Sequence, residues 1–196
     1  MKYVIKDNKS VFKGFFKVDA LTLDYDCFEG GQLNNVVREV FMRGEAVGVL
    51  LVDIRRQQII LVEQFRAGAA AAKADNPWLL ELVAGIVEPD ESPDEVAGRE
   101  SEEEAGCVPD KLIPLYEYWV SPGGSDEKFY LFCGLVDAGK VAEYGGLADE
   151  NEDIKVHILS FQEAFSWLEQ GRLNNAMTII GVQWLMLNQS QLNRYI

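Results

Sequence analysis

The stretch GIVEPDESPDEVAGRESEEEAGC, from Gly85 to Cys107, encodes a helix with both of its ends marked and an unusual face. Ser92-Pro93-Asp94-Glu95 is a capping box: the serine hydroxyl can accept the N–H three residues on, and the glutamate there can reach back. Proline at the first helical position fits, because its missing N–H would have had no intrahelical partner. Gly106 stops the helix, since glycine enters the left-handed region without a steric penalty. Val96 and Ala97 open an apolar stripe, and the positions that continue it at three- and four-residue spacing are Glu100, Glu103 and Glu104. A solvated acidic face should lie opposite the stripe, but here the two coincide. Like charges at this spacing repel, and Arg99 offsets only part of them. The pattern therefore points to a divalent cation held by carboxylates.

Around this helix the chain reads as alternating strands and helices. WLLELVAG (Trp78–Gly85) leads into it as a strand, and VGVLLVD (Val47–Asp53) and QIILVEQF (Gln58–Phe65) form a hairpin of central strands. AGAAAAKADNP (Ala67–Pro77) is low in complexity and ends in proline, so a flexible surface loop is expected there. Nearer the N-terminus, FFKVDALTL (Phe15–Leu23) and NVVREVFM (Asn35–Met42), separated by FEGGQLNN, predict a small antiparallel sheet. Downstream strands are expected at Leu115–Val120, Glu127–Leu135 and Ile154–Leu159, with His157 a strand residue. Ser160 to Glu163 is a second capping box heading a helix that Gly171 closes, and a last helix spans Asn175–Asn188. Trp167 and Trp184, at helical spacing among apolar residues, are assigned to packing. Strict βαβ alternation is absent, so the fold class expected is α/β of the α+β type, a mixed sheet flanked by helices.

Composition narrows the chemistry. A chain of 196 residues is one domain with room for a small accessory element. Eighteen Lys and Arg against 32 Asp and Glu give a net charge of −14, which repels nucleic-acid phosphates and anionic lipid. Cys27, Cys107 and Cys133 show no CxxC spacing and His157 stands alone, which argues against a disulfide framework or a zinc site. The N-terminal residues lack the apolar run of a signal peptide and no long apolar span follows, so a cytoplasmic protein is expected. A single histidine and the absence of GxSxG weaken nucleophile–histidine schemes, and chemistry by carboxylates is expected.

The fixed positions in the first stretch are Gly85, five residues, Glu91, seven residues, Arg99-Glu100, two residues, Glu103-Glu104, one residue, and Gly106. This spacing resembles the Nudix box. Ser101 departs from it, standing where that family usually has an aliphatic residue, which bears on packing behind the helix. Glu63 to Arg66 (EQFR), Pro77 to Gly85 (PWLLELVAG), Ser121 to Gly124 (SPGG, with Pro122 at a proline of the branch) and Gly146 to His157 (GLADENEDIKVH) extend the resemblance to the ADP-ribose pyrophosphatase branch of Nudix hydrolases. The GDP-mannose pyrophosphatase type is similar in SPGG and in an acidic loop.

The resemblance implies a Nudix fold, an α/β/α sandwich, over residues 46–196 and an N-terminal β-subdomain over residues 1–45. It implies hydrolysis of the diphosphate bond of a nucleoside diphosphate sugar, ADP-ribose giving AMP and ribose 5-phosphate. GDP-mannose or another nucleotide sugar is the alternative, and a noncatalytic ligand-sensing domain, which would show a broken box, is a further one. Mg²⁺, with Mn²⁺ as a substitute, would be held by Glu100, Glu104, Glu152 and the Ala84 carbonyl. Glu103 would ligate or orient water, and Glu150 would be the general base. Ordinary surface chemistry stays open for the Ala148–Ile154 loop as a solvated turn. Substrate contacts carried over are Phe15, Arg38, Glu39, Arg66, Ile86, Ser121, Gly123 and Glu127. Glu91 and Arg99 read as an ion pair fixing loop to helix. The resemblance further implies a homodimer that exchanges its N-terminal subdomains.

Overall fold

The computed structural model describes residues 1–195. The chain divides into two compact units, one formed by Met1–Glu45 with Tyr118–Phe129, the other by Ala46–Glu117 with Tyr130–Ile196.

In the first unit β1 (Tyr3–Lys13), β2 (Lys17–Asp26) and β3 (Gln32–Met42) form an antiparallel meander. The sequence reading placed this sheet within residues 1–45 and named segments of β2 and β3 without singling out β1. Its lysines and polar residues interrupt the alternation, and every residue of β1 is exposed, so no burial pattern marks it. Tyr118–Phe129, remote in sequence, joins this unit through backbone and carboxylate bonds. The Phe41 N–H donates to the Gly124 carbonyl at 2.8 Å, and Asp126 Oδ1 accepts the N–H groups of Arg43 at 2.6 Å and Gly44 at 3.1 Å.

The second unit is built on a mixed eight-stranded sheet. Its elements are β4 (Glu45–Asp53), β5 (Gln58–Phe65), α1 (Ala67–Ala71), β6 (Trp78–Glu81), β7 (Val83–Ile86), α2 (Pro93–Ala105), β8 (Lys111–Trp119), β9 (Lys128–Leu135), β10 (Tyr144–Gly145), β11 (Ile154–Ser160), α3 (Phe161–Glu169) and α4 (Ala176–Asn188). The strand order is β10-β11-β5-β4-β9-β8, with β6 against β5 and β7 against β4. Period-two alternation sends Val47, Val49 and Leu51 of β4, Ile60 and Val62 of β5, and Ile154 and Val156 of β11 to the face covered by Val96, Ala97 and Ala105 of α2. The residues between them meet the other helical layer, where Leu50 and Leu82 close on Gly181 of α4. This is the expected sandwich. Among the described residues no helix is long and apolar enough to cross a membrane.

Two local expectations change. Ala67–Ala71 is a single helical turn inside the expected loop, in keeping with the high helix propensity of alanine. The strand expected over Trp78–Gly85 is two, because β4 and β5 pair only near their turn, through Leu51–Asp53 with Gln58–Ile60. Beyond that they diverge, and the incoming chain pairs first with β5 and then with β4, breaking at Leu82. The break is buried, so its backbone groups need partners. The N-terminal end of α4 supplies them: Leu82 N–H donates to Thr178 Oγ1 at 3.1 Å, and Asn175 Nδ2 donates to the Leu80 carbonyl at 2.8 Å.

Replacing Thr178 by the isosteric valine leaves the buried Leu82 N–H unpaired. A loss of about 1–3 kcal/mol is expected in urea unfolding. An unchanged midpoint would mean the break does not depend on α4.

Candidate active site

The capping box of α2 forms in full: Ser92 N–H and Oγ–H donate to Glu95 Oε2 at 2.8 and 2.7 Å, and Ser92 Oγ accepts the Glu95 N–H at 3.4 Å. Gly106 closes the helix with φ 67°. The buried residues of α2 are Val96, Ala97, Ser101, Glu104 and Ala105. One glutamate thus occupies the core stripe itself, while Glu100 and Glu103 flank it half-buried. Ser101, buried at the family's aliphatic position, donates its hydroxyl to the Ala97 carbonyl at 2.6 Å.

Glu104 is only 2% exposed. Its Oε2 accepts the Ala84 N–H of β7 at 3.1 Å, and its Oε1 faces Gln64 Nε2 of β5 at 3.4 Å. Burial pushes its carboxyl up to about 8; the Ala84 N–H opposes this and the charge of Glu100 adds to it. Burial likewise pushes Glu100 up to about 7, against the pull of Arg99. Arg99 is the counter-charge on this face. Its Nε and Nη2 take both oxygens of Glu91 at 3.0 and 3.2 Å, and its Nη1 bridges Glu100 Oε1 at 2.9 Å and Glu103 Oε2 at 3.0 Å. The expected Glu91–Arg99 pair is present and extends to two of the acids.

These residues suit a hard divalent cation. Their donors are carboxylate oxygens, and ionising two carboxyls that burial has driven toward neutrality calls for a compensating positive charge. Gly85 keeps the space: a Cβ there would lie 2.0 Å from Glu100 Oε1. Among the described residues no three acidic, histidine or cysteine side chains already converge on one point, consistent with Arg99 holding Glu100 and Glu103.

The acidic loop is fastened to the C-terminal end of α2, where helix carbonyls lack partners. Ala142 N–H donates to the Ala105 carbonyl and Gly146 N–H to the Glu103 carbonyl, each at 2.9 Å. Gly145 is required by this approach, since a Cβ there would meet the Glu104 carbonyl at 2.1 Å. A 3₁₀ turn over Ala148–Glu150 follows. Glu152 Oε2 accepts the Leu147 N–H at 3.4 Å, and its charge adds to the rise of both Glu100 and Glu104. Glu150 is exposed on the turn.

Arg66, just past β5, directs Nε to Glu81 Oε2 of β6 at 2.6 Å, and its charge reaches Glu104. Ile86 is exposed at the end of β7. The remaining sequence-expected contacts lie in the first unit. Arg38 and Glu39 are exposed on β3, paired with Leu21 and Ala20. Phe15 is 92% exposed and meets Phe16 edge-on at 4.9 Å. Arg43 stacks over Phe16 at 5.0 Å and binds Glu127 Oε1 through Nε at 3.3 Å. The Ser121 carbonyl accepts the Gly124 and Ser125 N–H groups, and a Cβ on Gly123 would touch nothing. Gln64, Glu81 and Arg43 escaped the sequence reading. For the first two a signal existed, a polar residue inside an apolar strand run.

The family model for the NUDIX domain matches residues 42–179. The chain belongs to the NUDIX family. An ADP-ribose pyrophosphatase of Haemophilus influenzae is 43% identical over 192 residues, 97% of this chain and 88% of that protein. One of Escherichia coli is 41% identical over 184 residues, covering 94% and 88%. A GDP-mannose pyrophosphatase of Yersinia pestis is 32% identical over 177 residues, covering 90% and 87%. A crystal structure described as an ADP compounds hydrolase shares the fold, with a TM-score of 0.72 at 21% identity, covering 100% of this chain and 96% of that one.

If Gly85 makes room for Glu100, Gly85→Ala displaces that carboxylate. Calorimetric titration should then show divalent-cation affinity reduced on the order of 10- to 100-fold. Unaltered affinity would remove Glu100 from the cation site.

Proposed function

We infer that the chain hydrolyses the diphosphate bond of ADP-ribose, giving AMP and ribose 5-phosphate, with Mg²⁺ as the cation and Mn²⁺ able to replace it. The observation that carries this reading is the higher identity to two ADP-ribose pyrophosphatases, 43% and 41%, than to the GDP-mannose enzyme, 32%, over nearly the whole chain. The unbroken carboxylate set on α2 supports catalysis over ligand sensing.

Glu100 and Glu104, with Glu152 and the Ala84 carbonyl, would hold the cation, and Glu103 would ligate it or orient the attacking water. When bound, such a cation neutralises phosphate oxygens and makes water easier to deprotonate. Arg66 serves the diphosphate. With Nε on Glu81, its two terminal amino groups have no acceptor among the described residues, and they form the flat fork that matches phosphate oxygens. Glu150, exposed on a loop tethered at Gly146, is free to take the proton of the attacking water. Phe15 offers a ring for the adenine, and Arg38, Glu39, Ile86, Ser121, Gly123 and Glu127 complete the substrate contacts. The N-terminal unit would contribute its share within a homodimer exchanging residues 1–45. The apolar residues that β1 leaves exposed, Tyr3, Val4, Ile5, Val11 and Phe12, support that assembly. A cytoplasmic location agrees with these substrates.

Turnover of a nucleotide-sugar panel with Mg²⁺, products identified, tests the substrate. Preferential release of AMP from ADP-ribose is expected, and preference for GDP-mannose would replace this reading. Two variants separate the loop acids. Glu150→Gln should lower kcat by about 10² to 10⁴ with unchanged cation dependence. Glu152→Gln should instead raise the Mg²⁺ concentration needed for half-maximal rate. Equal behaviour of the two variants would withdraw the division of roles.

A further inference from the structure

Arg66 and Glu81 form an asymmetric pair. The acid is 5% exposed, while the side chain of the arginine is 39% exposed. Burial raises the carboxyl of Glu81, and the adjoining guanidinium opposes that rise. A carboxylate this deeply buried gives a strand little stability, because its desolvation offsets most of what one ion pair returns. An aliphatic residue would serve the pairing of β6 with β5 equally well, since Glu81 lies opposite Val62 across the ladder.

What the carboxylate adds is direction. Its 2.6 Å bond takes the Nε edge of Arg66, the edge on the side-chain stem, and so fixes the plane of the guanidinium. The outer edge, with both terminal amino groups, then has no protein acceptor among the described residues. Gln64, also buried in β5, engages Glu104. Glu81 thus engages the arginine, and Gln64 engages the helix acid.

We propose that Glu81 is a positioning residue of this site: it locks the guanidinium of Arg66 so that the terminal amino groups present a fixed fork to a diphosphate. The proposal rests on the reading of Arg66 as the diphosphate contact. Glu81 touches no reacting atom and acts through Arg66 alone.

A double-mutant cycle on the full chain tests this, read by the affinity for inorganic pyrophosphate with Mg²⁺ present and by the kinetics on ADP-ribose. Glu81→Leu should weaken pyrophosphate binding and raise KM by roughly 10- to 100-fold, with a smaller change in kcat. Glu81→Gln retains an acceptor for Nε but lacks the charge, so it should fall between the wild type and Glu81→Leu, and it serves in the cycle should the leucine variant not fold. In an Arg66→Ala background either Glu81 substitution should change both readouts less than about twofold, because its only route of action is gone. Equal losses in both backgrounds would overturn the proposal, as would a wild-type chain that binds no pyrophosphate. Coupling in pyrophosphate binding without ADP-ribose turnover would keep Glu81 in this role and discard the substrate. Turnover of ADP-ribose without coupling would do the reverse.

Discussion

The carboxylate of Glu104 sits in the row of α2 that Val96, Ala97, Ser101 and Ala105 use to pack on the sheet, and the Ala84 N–H of β7 holds it there. Much of the second unit answers to that one bond. It ties α2 to the short strand that fills the gap between β4 and β5. It brings Gly85 against Glu100 and sets the end of α2 where the acidic loop attaches through the Glu103 and Ala105 carbonyls. Burying a charge at a core position costs several kcal/mol unless hydrogen bonds and opposite charge compensate. The site and the packing of α2 are therefore one arrangement, and neither is adjustable without the other.

What the sequence makes legible follows from the range of each interaction. The capping boxes at Ser92 and Ser160, the stop at Gly106 and the coincidence of stripe and carboxylates depend on residues within two helical turns; the caps and the stop appear in the structure, and the coincidence holds for Glu104, with Glu100 and Glu103 beside the stripe. The second capping box closes at Glu163 with the same reciprocal bonds as the first. The break at Leu82 was not legible, because it is decided by the divergence of β4 from β5 and by Thr178, ninety-six positions away. β1 was hidden for another reason: all its residues are exposed, so burial leaves no period in its sequence. For the site, the helix acids were readable as a pattern. The pairings Arg66–Glu81 and Gln64–Glu104 required the register between β5, β6 and α2.

The acidic composition also has a local logic. Asp53 shows it away from the site: burial raises its carboxyl, but the Arg56 N–H, the Arg56 guanidinium and the Ala138 N–H together hold it below the usual range. There the carboxylate is fully served by donors and closes the β4–β5 turn. On α2 the donors fall short of Glu100 and Glu104, and those two carboxyls rise instead. The contrast separates an acid whose charge the fold compensates from two whose charge it does not, within one chain and one overall charge.

Arg99 carries the last consequence. By linking Glu91, Glu100 and Glu103 it acts as a resident counterion on the acidic face of α2. The face is therefore compensated without an ion, unlike small domains that collapse only around theirs. A cation bound there would have to displace part of the guanidinium, so its affinity would be the net of an exchange, weaker than the same ligands would give if left bare. The fold on that face is then held by the protein's own charge, with Arg99 and not an ion closing the acidic row.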